Sequence, residues 1–155
     1  MKNFFQKGIS FLEIIIVVAI IGILSAIVMP QFSKIKNAQI IKSASEDVLS
    51  VLNKARSQTL ASLNSQQYGV HFETNRVIIF IGTVYDANSA SNEIINISLP
   101  ATISNISLTS GATEIYFNRL NGTPSKTGTI TISIPSDSSY TKIVTVSGAG
   151  GASLN

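Results

Sequence analysis

The stretch Ile14–Met29, IIIVVAIIGILSAIVM, is sixteen residues long and contains one polar side chain, Ser25. Extended back to Ile9 it reaches 21 residues. At the helical rise of about 1.5 Å per residue it measures about 31 Å, the hydrocarbon thickness of a bilayer. Lys2 and Lys7 precede it, in the charged-then-apolar order of an N-terminal export signal. A cleaved secretory signal would end in a small-x-small site. This run ends in Ile27-Val28-Met29-Pro30, so a retained membrane span is expected instead. Glu13 is the anomaly, because its helical face carries no basic residue within the run. A carboxylate at the centre of a span costs about 2.5–3.5 kcal/mol; near an end it costs less but still calls for a partner.

Composition narrows the chemistry. The 155 residues hold no Cys and one His, His71, which removes disulfide frameworks, thiolate metal sites, cysteine nucleophiles and His-clustered metal or triad chemistry. Charged residues make up 12% and hydrophobic ones 45%, a balance unlike that of a disordered tail. No nucleophile elbow or phosphate-cradling glycine loop is present, so neither enzymatic activity nor a cofactor is expected. A lone strand histidine such as His71 reads as structural or solvent-facing. Asn96-Ile-Ser, Asn105-Ile-Ser and Asn121-Gly-Thr fit the glycosylation acceptor pattern, which a Ser/Thr-rich chain produces by chance.

Beyond the span, Gln31–Leu63 carries apolar residues at Phe32, Ile35, Ala38, Ile41, Ala44, Val48, Val51, Leu52, Ala55 and Leu63. Spacing of three and four predicts an amphipathic helix. One helix from about Ser10 to Leu63 follows, weakened at Gly22 by about 0.8–1 kcal/mol relative to Ala and bent at Pro30, which removes a backbone bond. From Tyr68 the pattern changes to strands: 68–72, 77–81, 94–99, 102–108, 114–118, 128–134 and 141–147, with turns at Asn121-Gly122 and Ser136–Ser139. The alternation of Thr129-Ile-Thr-Ile-Ser-Ile134 implies an antiparallel sheet with one buried and one wet face. From Thr83 to Asn155 there are 23 Ser and Thr but only seven charged residues, a polar, uncharged surface common in extracytoplasmic β domains. The predicted class is α+β: a long kinked N-terminal helix packed on a C-terminal antiparallel β head. Its divisions are a span at 9–30, an amphipathic half at 31–65, a head at 66–147 and a flexible Gly-rich tail at 148–155.

The segment Lys7-Gly8-Ile9-Ser10-Phe11-Leu12-Glu13, followed by the apolar run, resembles the type IV pilin-like N-terminus shared by type IV pilins, competence pilins and type II secretion pseudopilins. The resemblance implies that residues 1–8 form a leader cut after Gly8 by a prepilin peptidase. The same enzyme would methylate the new amine of Ile9. Glu13 falls at the fifth mature position, where the family's carboxylate meets the N-terminal ammonium of a neighbouring subunit. Gly22 and Pro30 match the family's helix-weakening positions. Ile9, Ser10 and Phe11 depart from the commoner Phe-Thr-Leu. The end of the predicted helix at Asn53–Ala61, together with Phe117–Gly122, Gly128-Thr-Ile-Thr and Val144–Ser147, resembles GspH/FimT-type pseudopilins.

Implied partners are the peptidase, other pilin or pseudopilin subunits, membrane lipid and a platform protein of the assembly machinery. The implied location is the cytoplasmic membrane with the head outside. Removing Lys2 and Lys7 leaves nine of the eleven basic side chains against eight acidic ones, too little for a phosphate-tracking surface, so nucleic acid is not an expected partner. The expected function is a structural filament subunit. The alternatives are a monomeric membrane-anchored ligand-binding domain and a competence pilin contacting DNA.

Overall fold

The computed structural model describes residues 9–155. They fall into two compact units, one ending at Lys36 and the other comprising Asn37–Asn155. Helix α1 (Phe11–Leu60) contributes to both.

In the first unit α1 begins with backbone bonds from Glu13 and Ile14 to the carbonyl of Ser10, at 3.0 and 3.3 Å. Helical structure continues without interruption through position 30. Every described side chain from Ile9 to Val28 and from Gln31 to Lys36 is exposed. Phe32 and Ile35, expected on a buried stripe, are 73% and 69% exposed.

In the second unit the stripe is realised. Ile41, Ala44, Val48, Val51, Leu52 and Ala55 are buried at helical spacing. Buried Ser45 turns its hydroxyl back to the Lys42 carbonyl at 2.8 Å, satisfying the group within its own helix. The helix ends at Leu60 rather than Leu63, because Ser62 enters the left-handed region at φ 48° and breaks the helical path.

Eight strands follow: β1 (Tyr68–Phe72), β2 (Arg76–Ile81), β3 (Glu93–Asn96), β4 (Thr102–Leu108), β5 (Glu114–Tyr116), β6 (Gly128–Ile134), β7 (Asp137–Val146) and β8 (Ala152–Leu154). They form two four-stranded antiparallel sheets, ordered β3-β2-β1-β5 and β4-β6-β7-β8. The β1–β2 turn ties the sheets together: the carbonyls of Asn75 and Thr74 accept the N–H groups of Ile97 and Ile103 at 2.8 and 2.9 Å. One core is shared by the α1 stripe, Val70, Phe72, Val77 and Ile79 of the first sheet, and Ile130, Ile132, Val144 and Val146 of the second. Each fully buried Val, Ile or Phe contributes about 1.5–3 kcal/mol.

Two sequence expectations change. Residues 148–155, expected as a flexible tail, supply β8, whose Leu154, Ser153 and Ala152 pair with Val144, Thr145 and Val146. Composition favours flexibility there, but the ladder and a cradle around Gly150 order the segment. Gly150 has φ +85°, and a Cβ on it would collide with the Gly122 carbonyl, so only glycine passes. The second change is the turn expected at Ser136–Ser139. It lies at Pro135-Ser136, with Asp137 already in β7. In β2, Ile78 and Phe80 are also buried, outside the shared core. Phe80 packs beside Tyr85 of the β2–β3 loop, with ring centroids 5.8 Å apart.

Candidate assembly surface

Glu13 stands in the first turn of α1, where the positive end of the helix dipole suits a carboxylate. It is exposed, and among the described residues no cation is paired with it. Ile9, Ile14, Val17 and Val18 border it and line a shallow groove of about 240 Å³. The site is therefore, among the described residues, a lone carboxylate set in an apolar wall that includes Ile9. Such a wall excludes water once covered, and a covered carboxylate needs a cation to remain charged. Further along, Ile21, Leu24, Ser25 and Val28 line a second groove of about 370 Å³. Gly22, beside it, has open space where a Cβ would stand, so a packing partner could approach the backbone there. Gly8 lies outside the described residues. Among the described residues α1 is the one helix long and apolar enough to cross a membrane.

The head carries a separate charged cluster that the sequence reading did not assemble. The Arg76 guanidinium donates to Glu73 through Nε at 2.7 Å and through Nη2 at 3.1 Å. These bonds hold the Glu73 carboxyl below its ordinary range against the opposing effect of burial, and the charges of Arg76 and His71 add to the lowering. The Arg76 guanidinium is correspondingly raised, first by the same hydrogen bond. His71 stacks on Tyr85 with centroids 4.0 Å apart and planes 10° from parallel. Its Nδ1 lies 3.5 Å from Glu114 and its Nε2 lies 4.0 Å from Glu73. The registers explain the grouping: β1 pairs His71 with Ile78 on one side and Glu114 on the other. Alternation in the sequence put His71 on a strand face, but the Glu114 pairing is long-range. Among the described residues no group of three or more His, Cys, Asp or Glu could hold a metal ion.

Compared with known protein families, residues 44–150, more than half of the chain, match the family described as Type II transport protein GspH. The chain belongs to the GspH family. Solved structures agree in fold. The type IV minor pilin FimU of Pseudomonas aeruginosa strain PAO1, in its P65 crystal form, superimposes with a TM-score of 0.55 at 18% identity. That match covers 74% of this chain and 91% of that one. The P21 form of FimU gives 0.56 at 17% identity, covering 74% and 87%. No curated protein matches the sequence. The long helix and antiparallel sheets are the α+β architecture of type IV pilins. As a GspH-family member the chain is a pilin-like structural protein, not an enzyme, and other pilin or pseudopilin subunits are its partners. The long apolar helix among the described residues fits a membrane-anchored protein.

Proposed function

We propose that this GspH-family chain is a minor subunit of a type IV pilus or type II secretion-type filament, inserted in the cytoplasmic membrane with its head outside. A prepilin peptidase cuts after Gly8 and methylates the amine of Ile9. A residue without a side chain lets the backbone enter a tight protease cleft. The freed ammonium of one subunit then meets Glu13 of a neighbour, and in low dielectric the pair offsets the burial cost of both charges. Apolar packing of the segment from Ile14 to Val28 supplies most of the cohesion, while the charge pair sets register. A platform protein of the assembly machinery is the further partner, and membrane lipid holds the subunit before extrusion.

One observation carries the reading: Glu13 is exposed among Ile9, Ile14, Val17 and Val18 and has no ion-pair partner among the described residues. A neighbouring subunit that covers this wall would have to supply the cation for it. The test is intact mass and N-terminal sequencing of protein extracted from its native membrane. A chain beginning at methylated Ile9 is expected. An N-terminus still carrying residues 1–8 would overturn the processing step and favour a permanent monomeric anchor.

A further inference from the structure

Phe32 and Ile35 belong to the helical stripe that the sequence predicts to be buried, yet they are 73% and 69% exposed. Every side chain from Gln31 to Lys36 is exposed, so this stretch of α1 is bare all round, like the apolar run before it. Phe32, Ile35 and Lys36 stand three and four residues apart and share one face. Lys34 precedes Lys36 by two residues, about 200° around the helix at about 100° per residue. One lysine therefore lies beside the apolar pair and the other across the helix from it.

Length says what surrounds this ring. From Phe11 to Val28 α1 rises about 26 Å, and Ile9 and Ser10 ahead of it complete a hydrocarbon layer of about 30 Å. Phe32 then lies about 6 Å past Val28, Lys34 about 9 Å, Ile35 about 10 Å and Lys36 about 12 Å. The headgroup region adds about 5–7 Å on each side of the hydrocarbon. Helical side chains lean toward the N-terminus, which here means back toward the membrane. The lean carries Phe32 and Ile35 into the headgroup layer. It also lets the lysine stems bring their ammoniums to phosphate level, as lysines near span ends do.

Charge agrees with that placement. Between Glu13 and Glu46 the chain holds three lysines, Lys34, Lys36 and Lys42, and no acidic residue. Lys42 faces Glu46 at 3.9 Å, while Lys36 has no ion-pair partner among the described residues. A protein neighbour packed on the apolar face would meet Lys36 and leave Lys34 on the far side. A bilayer surrounds the helix and meets both.

We infer that Phe32, Lys34, Ile35 and Lys36 form an interfacial collar that gathers anionic phospholipid from the leaflet on the head's side. The ammoniums take the lipid phosphates, and the apolar pair sits where headgroups meet acyl chains. The inference rests on the membrane insertion proposed above and names the lipid class. The collar fixes the depth at which the subunit waits, and it must release its lipids when the subunit is extruded.

The chain has no Trp, so Phe32→Trp in the full-length protein gives a single reporter at the collar. Ile21→Trp gives a separate one in mid-span. Each is reconstituted at high lipid excess into vesicles of phosphatidylcholine with phosphatidylglycerol as the minor lipid. Bromine is carried by one lipid class or the other, near the headgroup end of the acyl chains for Phe32→Trp and near their tips for Ile21→Trp. Trp has its own affinity for the interface, so the ratio between the two lipids carries the test. Per molecule, brominated phosphatidylglycerol should quench Phe32→Trp at least about fivefold more than brominated phosphatidylcholine, the preference that one surface lysine confers. Adding Lys34→Gln and Lys36→Gln together should bring that ratio close to unity.

Equal quenching by the two lipids overturns the proposal, as does a ratio that the lysine substitutions leave unchanged. Water-like emission from Phe32→Trp while Ile21→Trp is quenched refutes the collar alone. Emission at position 32 that shifts to the blue only as protein is concentrated in the membrane assigns this face to a second subunit and also overturns the collar. No quenching of Ile21→Trp refutes the membrane insertion itself.

Discussion

The hydroxyl of Thr59 accepts the backbone N–H of Tyr68 at 2.9 Å while donating to the Ala55 carbonyl at 2.9 Å. Thr59 is fully buried, so one side chain in the last turns of α1 satisfies the first amide of β1. Thr59→Val keeps the shape and strands that amide. An unsatisfied buried donor costs about 1–3 kcal/mol. Denaturant unfolding of Thr59→Val should show a loss of that size, and Thr59→Ser should recover most of it.

Arg56 predicts a second effect. Its Nε donates to the Gly122 carbonyl at 3.1 Å and its Nη2 to the Ala149 carbonyl at 3.3 Å. The guanidinium thus holds the β5–β6 loop and the entry to β8 against one point on α1. Arg56→Ala should speed hydrogen exchange at the Asn155 amide while amides between β6 and β7 keep their protection. Gly150→Ala should destabilise the fold by about 1–3 kcal/mol, because it forces a Cβ into a left-handed position.

Acid should weaken the head through Glu73. Its folded carboxyl titrates below the ordinary value of 4.5. A depressed carboxylate adds stability above its unfolded pKa and loses it as pH falls through the folded value. The melting-temperature gap between the native chain and Arg76→Ala should therefore be constant at neutral pH and close on acidification below about pH 4.5. A gap that widened in acid would contradict the sign.

Glu13→Ala should insert into the membrane normally and fail to enter filaments. Removing one member of a buried pair costs about 3–5 kcal/mol, which corresponds to a fall in incorporation of about two to four orders of magnitude. Glu13→Gln should behave alike, since it keeps the size and removes the charge. The readout is the ratio of filament-bound to membrane-bound protein.

Local periodicity carried the sequence reading where burial is local. Ile41, Ala44, Val48, Val51, Leu52 and Ala55 follow helical spacing, and each is buried. Ile130, Ile132 and Ile134 alternate with polar neighbours and are likewise buried. The reading failed where burial is decided by distant chain. Local pattern does not say what covers Phe80 of β2, because part of the cover comes from Tyr85 in the following loop. Nor does Gly148-Ala-Gly-Gly151 announce a strand beyond it, since the partners that order it are Arg56 and the Gly122 carbonyl. Glu13 stands out in the sequence because a single carboxylate in an apolar run is out of place wherever the run folds.

The bare apolar helix ahead of Asn37 has a thermodynamic consequence. With every described side chain from Ile9 to Val28 facing outward, this part of the molecule has no internal core of its own. In the proposed filament its packing is set by mass action, through how many like surfaces are within reach. Diluting the protein in the membrane should loosen that half while leaving the melting of the head unchanged.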